Sequence, residues 1–109
     1  MLYAVGIIFI IAGIVLRVFP PKKINSIYGY RTNLSMKNQD AWNEGQKYSG
    51  NTFIVFGLIY CALEFALAKL IKNTNIAYQL AIFLIGIIIM LVIDEGHLRK
   101  VFNADGSRK

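Results

Sequence analysis

Residues 74–93, TNIAYQLAIFLIGIIIMLVI, contain no charged side chain. A helix rises about 1.5 Å per residue, so a run of this length crosses a hydrocarbon core about 30 Å thick. Upstream, residues 52–68, TFIVFGLIYCALEFALA, form a second run whose only charge is Glu64. Residues 1–16, MLYAVGIIFIIAGIVL, form a third, closed by Arg17-Val18-Phe19-Pro20-Pro21. The chain has 109 residues, 56% of them hydrophobic and 17% charged. A soluble domain carries about 25% charged residues, so too little polar chain remains to cover three such blocks as a water-soluble core. The length admits one domain. A single cysteine, Cys61, excludes an internal disulfide framework, and a lone His97 provides no ordinary zinc site. The sequence therefore predicts an all-α integral membrane protein. Its three transmembrane helices fall at about 2–19, 49–69 and 74–94, with a short interfacial helix at about 36–47 between the first and second.

The first run is also compatible in length with the apolar part of a signal peptide. It lacks a positive start, its basic residues follow it, and no small-x-small site stands after it, so a retained anchor is expected. With three spans, the connection and the C-terminal tail 95–109 share one side of the membrane. They hold Arg17, Lys22, Lys23, Arg31, Lys37, Lys47, Arg99, Lys100, Arg108 and Lys109, against Lys69 and Lys72 on the other side. Basic residues near the ends of short loops stay in the cytoplasm, which predicts the N-terminus outside and the C-terminus inside. The net charge of +6 is then a consequence of topology and calls for no nucleic acid, while it suits anionic lipid headgroups.

The connection 20–50, PPKKINSIYGYRTNLSMKNQDAWNEGQKYSG, is the most informative part of the chain. Pro20-Pro21 ends helix one, and Gly29 marks a turn or a close backbone approach. Ser35 is placed to cap a helix starting near Met36. A bend at Gly45 or Gly50 would then join that helix to the next span. Trp42 and Tyr48 suit the headgroup level, where a ring can be half wet.

Tyr28-Gly29-Tyr30-Arg31-Thr32, followed by Ser35-Met36-Lys37-Asn38, Trp42 and Gly50, resembles the core signature of the SdpI family. These are small bacterial integral membrane proteins named for a member that gives immunity to a secreted peptide toxin. The closing Val101-Phe102-Asn103-x-Asp105-Gly106 is similar to the tails of small members, and Asn33 stands where the family usually has a proline after Arg-Thr. The resemblance implies a location in the bacterial cytoplasmic membrane, no enzymatic activity and no cofactor. It implies protection by binding a peptide toxin at or in the bilayer, and a second role in which the cytoplasmic face holds a regulator at the membrane.

The signature residues Tyr28, Gly29, Tyr30, Arg31, Thr32, Asn38 and Trp42 are the first candidate site. Arg31 has two readings. Its guanidinium can grip a phosphate or carboxylate of a ligand or lipid, or it can pair with Asp94 or Glu95 at the end of helix three. A second candidate is an outer polar cluster of Glu64, Gln79, Tyr60 and Tyr78. Glu64 is the only charge within a span, and intramembrane carboxylates are costly enough to be functional candidates. It can equally snorkel beside Lys69 or Lys72, or form an interhelical hydrogen bond with Gln79. A different class of function follows if Glu64 is a coupling site: a small oligomeric transporter or ion-conducting protein. Gly6, Gly13, Gly50, Gly57, Ala77, Ala81 and Gly86 are positions where helices can approach closely, within one chain or in a homo-oligomer. Cys61 in an apolar setting is inert, His97 belongs at headgroup level, and Asn103–Gly106 is a turn rather than a calcium loop. No nucleophile–base pair, metal-ligand motif or phosphate-binding glycine loop is present.

Overall fold

The first apolar run forms α1 (Leu2–Val18), which stops just before Pro20-Pro21, where no proline N–H is available to continue it. The computed structural model describes residues 2–70 and 75–109. Within them lie two further helices, α2 (Gln39–Leu70) and α3 (Ile76–Val101), with no strand beyond an isolated bridge between Phe102 and Arg108. Both α2 and α3 are long and apolar enough to cross a membrane, whereas α1 is a shorter apolar helix, about 26 Å long.

Their apolar side chains point outward. Only 11% of the most apolar stretch of α2 and 6% of that of α3 is buried inside the molecule. Ile8, Ile11, Leu58, Phe65, Leu84 and Ile88 are all exposed. A core helix of a soluble protein would show the opposite, so this surface is built to face hydrocarbon.

The connection differs from expectation in two ways. No separate interfacial helix stands at 36–47. A single helix of 32 residues runs from Gln39 to Leu70. No proline interrupts it, and Gly45 and Gly50 serve as contact points instead of bends. A Cβ on Gly45 would lie 3.3 Å from Ser35, and one on Gly50 would lie 3.2 Å from the Arg17 stem. The helix also starts later than Ser35 suggests. Asn38 caps it, with Oδ1 accepting from the Ala41 N–H at 2.8 Å, because Ser35 is engaged in a turn of its own. At the other end, α3 continues past Asp94 to Val101, since Leu98 and the following Phe102 are drawn into a core.

The central helix α2 carries the other two. Against α1 the contact is backbone to backbone. Gly6 faces Gly57 and Gly13 faces Gly50, so the antiparallel helices meet at two glycine pairs within one chain. A Cβ on Gly57 would sit 2.6 Å from the Gly6 carbonyl oxygen, and one on Gly13 would sit 2.6 Å from that of Gly50. Where the outer faces of such helices meet lipid, it is close packing of this kind, not water exclusion, that holds elements together. Against α3 the contact uses larger groups. Tyr60 donates its hydroxyl to the Phe83 carbonyl at 2.8 Å, with its ring over Gly86. Phe9 completes an aromatic cluster there, with centroids 5.1 Å from Phe53, 5.5 Å from Tyr60 and 6.2 Å from Phe83. All three helices meet at this point.

Replacing Gly57→Leu should lower stability by about 1–3 kcal/mol through overpacking, although a helical leucine is intrinsically favoured over glycine by about 1 kcal/mol. The unfolding midpoint in detergent checks this. Leu58→Ala, at the neighbouring exposed position, should leave it nearly unchanged, and equal midpoints for all three proteins would rule out the glycine contact.

Candidate functional site

The signature loop folds back over the start of α2 and the end of α3, forming a small cap. Its first turn is set by Asn25, whose Oδ1 accepts from the N–H groups of Ile27 (2.9 Å) and Tyr28 (2.7 Å). Tyr28 then donates its hydroxyl to the Phe19 carbonyl at 3.0 Å, tying the loop to the end of α1. Gly29 follows with φ of +108°, a conformation that favours glycine. A Cβ there would also stand 2.5 Å from Gln46 Oε1 and 2.8 Å from Pro21. Turn and close approach coincide at this one residue.

Gln46 is the grip. Its Oε1 accepts from the Tyr30 N–H and its Nε2 donates to the Tyr30 carbonyl, both at 2.7 Å and both buried. The amide therefore pairs with one residue of the loop much as a neighbouring strand would. Beyond Tyr30 the chain closes a turn in which Ser35 Oγ accepts from the Thr32 N–H (2.8 Å) and Thr32 Oγ1 accepts from the Ser35 N–H (3.2 Å). Trp42 lies beneath. The half-wet ring expected for it does not hold. Its ring is fully buried, and Nε1 donates to the Pro21 carbonyl at 2.6 Å, the partner a buried indole N–H requires.

Arg31 and Tyr30 exchange the roles expected of them. The Arg31 guanidinium donates to the Ser26 carbonyl and makes no ion pair with Asp94 or Glu95 among the described residues. It is Tyr30 that reaches α3, donating its hydroxyl to Glu95 Oε1 at 2.9 Å. Burial, the hydrogen bond to Glu95 and the negative charges of Glu95 and Asp94 push the Tyr30 phenol above its ordinary range, so it remains a neutral donor. Asp94 is buried and faces α2, with Oδ1 accepting from Thr52 Oγ1 at 2.8 Å and Oδ2 without a partner. Successive residues of the loop point in opposite directions. With Tyr30 turned in to Gln46 and Glu95, Arg31 is left on the exposed side.

Around this network sits a compact apolar core of Tyr30, Leu34, Ala41, Leu98 and Phe102. Two clasps close it. Asn38 Nδ2 donates to the Gly106 carbonyl at 2.6 Å, and Arg108 makes paired bonds of 3.0 and 2.8 Å to Asp40. Residues 103–106 form the expected turn, with Gly106 at φ of +90°. On the other side His97 Nε2 lies 2.8 Å from Glu44 Oε1 and stacks on Tyr48, with centroids 3.8 Å apart. His97 thus bridges α2 and α3.

The outer polar candidates are arranged differently. Tyr60 points to the Phe83 carbonyl, and Tyr78 is 68% exposed. The pairings Thr52–Asp94 and Tyr60–Phe83 fix the antiparallel register of α2 and α3. That register sets Glu64 one turn beyond Tyr60, and Gln79 one turn before Phe83 with Oε1 buried and without a hydrogen-bond partner among the described residues. Lys72 lies outside the described residues. Gln46, Thr52 and Glu44 were not singled out from sequence, and spacing was their only signal. Trp42, Gln46 and Ser49 recur at helical intervals on one face with Gly45 and Gly50, and polar residues among small and aromatic ones mark a buried polar face.

Gln46→Leu keeps the volume but leaves the buried Tyr30 N–H without an acceptor. A loss of about 1–3 kcal/mol is expected. Hydrogen exchange should show it as faster exchange at Tyr30 and through the 28–35 loop, with the amides of α1 unaffected. Unchanged protection at Tyr30 would show that the grip is dispensable.

The chain matches the SdpI/YfhL protein family over residues 22–93, from the loop through α2 and most of α3. It is similar to the uncharacterized protein YfhL of Bacillus subtilis (strain 168), 36% identical over 101 residues that cover 93% of this chain and 88% of that protein. No solved structure matches it. A match that takes in the signature loop, all of α2 and most of α3, together with a relative 36% identical over 93% of the chain, settles the classification: the chain belongs to the SdpI/YfhL family.

Proposed function

We propose that this protein is an immunity-type membrane protein that protects a bacterium by binding a membrane-active peptide toxin at or in the bilayer. The observation that carries the reading is the family match over residues 22–93, joined to the resemblance of the signature loop to a family named for an immunity protein. The architecture supports it. The apolar faces of all three helices are left for hydrocarbon or for an apolar peptide, and among the described residues the buried apolar core lies in the cap. In this reading the chain spans the cytoplasmic membrane three times. At about 26 Å, α1 is short for a 30 Å core, and modest thinning of the bilayer accommodates it. The N-terminus is outside, and the cap and C-terminus are in the cytoplasm, where ten of the twelve basic residues then lie. The cap's exposed Arg31, Lys37 and Arg99 are the surface on which a cytoplasmic regulator would be held.

Two measurements test this. In a Cys61→Ser background, Lys109→Cys should react with an impermeant thiol reagent only after the cells are opened, whereas Asn75→Cys should react in intact cells. The reverse pattern would overturn the orientation. Toxin-sensitive bacteria expressing the chain should survive the family's secreted peptide toxin. Because Arg31 faces outward and bonds only to a backbone carbonyl, Arg31→Ala should reach the membrane at the wild-type level. Protection lost in that variant places the signature loop in toxin binding. No protection by the wild-type chain, together with proton or cation flux in reconstituted vesicles that Glu64→Gln abolishes, would replace immunity with transport.

A further inference from the structure

A cavity of about 600 Å³ opens where the end of α1 meets the first turns of α2. Three cations line it, one from each neighbouring element: Arg17 from the last turn of α1, Lys22 from the loop and Lys47 from α2. No carboxylate lines it, and among the described residues none of the three cations has an ion-pair partner. Like charges converging on one concavity repel, and a bound anion relieves that repulsion. The arrangement is fixed by the fold. The Arg17 stem lies against Gly50, where an added Cβ would stand 3.2 Å from its Cγ. Gln39 Nε2 donates to the Lys22 carbonyl and, at 2.8 Å, to Asn43 Oδ1. With Oδ1 so occupied, Asn43, which lines the cavity, has its amide NH2 left to donate.

Depth and polarity point to the source of the anion. Arg17 closes the uncharged run, so the cavity lies where the apolar segment ends, the level of headgroup phosphates. Its opposite wall is apolar, from Leu16, Pro20 and Pro21. Beside it Val18 and Phe19 are 61% and 72% exposed, as an acyl chain descending from the cavity would require. We propose that this cavity binds a phosphate oxyanion, held by Arg17, Lys22, Lys47 and the Asn43 amide, and that the oxyanion belongs to an anionic membrane phospholipid. The proposal does not rest on the immunity reading.

Trp42 is the only tryptophan and donates to the carbonyl of Pro21 on the cavity wall, so its fluorescence reports on the site. The full chain in phosphatidylcholine nanodiscs is titrated with short-chain phosphatidylglycerol or with inorganic phosphate, and native mass spectrometry counts retained lipid in parallel. Saturable binding of phosphatidylglycerol is expected. Each basic residue near an anionic surface contributes roughly fivefold, so the combined Arg17→Gln, Lys22→Gln, Lys47→Gln variant should bind about a hundredfold more weakly. The charge-matched Arg99→Gln, Lys100→Gln, Lys109→Gln variant should bind like wild type. If the triple variant fails to fold, Lys47→Gln alone should still weaken binding roughly fivefold. Equal weakening in both triple variants would reduce the effect to bulk surface charge and overturn the site. Inorganic phosphate binding as tightly as the lipid would overturn the lipid source. Absence of both retained lipid and a fluorescence change would overturn the proposal outright.

Discussion

The approach of α1 to α2 at Gly6–Gly57 and Gly13–Gly50 is the constraint from which the remaining architecture follows. Helices surrounded by hydrocarbon gain little from burying apolar side chains against each other, and association depends on how closely the backbones come. Two glycine pairs, seven residues apart on each helix, fix the separation of the helices and also their register. That register places Arg17 against Gly50 and brings Pro21 over Trp42 and Gly29. The loop therefore begins already in contact with α2, and it has only to turn back at Asn25 and Gly29 for Tyr30 to meet Gln46.

What the loop builds there is a small buried core at one end of the apolar helices. Its energetics divide cleanly. Fully burying a large apolar side chain contributes about 1.5–3 kcal/mol, and Trp42, Leu98 and Phe102 are all nearly or completely buried. A single hydrogen bond contributes a net 0.5–1.5 kcal/mol or so. Apolar burial thus supplies most of the cap's stability. The hydrogen bonds decide its shape, because a buried N–H or carbonyl left unpaired costs as much as a buried side chain contributes. The Asp40–Arg108 clasp is half exposed on both sides, and such pairs contribute little to stability. Its effect is to hold the tail in register over Asn38.

The parts of the structure legible in the sequence are those governed by local rules. Uninterrupted apolar runs gave α1, α3 and the C-terminal half of α2, proline gave the end of α1, and Gly29 gave the turn. The parts that were not legible depend on partners distant in the chain. Ser35 has the composition of a helix cap, yet its hydroxyl is taken up by Thr32, and Asn38 caps the helix instead. Trp42 has the composition of an interface anchor, but Pro21 offers it a carbonyl inside the protein. Gly45 and Gly50 read as bends because glycine destabilises an isolated helix. In the fold each admits a neighbour, Tyr30 and Ser35 in one case and Arg17 in the other, and the helix runs straight through. Arg31 was the natural partner for Asp94 or Glu95 by charge alone. Tyr30, one residue earlier, takes Glu95 because the Gln46 grip turns it inward.

The two sides of α2 are consequently held by different physics. Toward α1, backbone atoms are in contact at two levels, and any shift must separate both glycine pairs together. Toward α3, within the apolar region, the contacts include the Thr52–Asp94 and Tyr60–Phe83 hydrogen bonds and the aromatic cluster around Phe9. Interhelical hydrogen bonds in membranes average about 0.6 kcal/mol in double-mutant cycles, so these bonds orient α3 more than they clamp it. The firm attachment of α3 is at its loop-side end, where Leu98 and Phe102 are buried in the cap and His97 is held between Glu44 and Tyr48. A displacement of α3 beside the cap would therefore have to break into that buried core. The signature loop, which closes over that anchored end through Tyr30 and Glu95, is the element that fixes where α3 ends its course along α2.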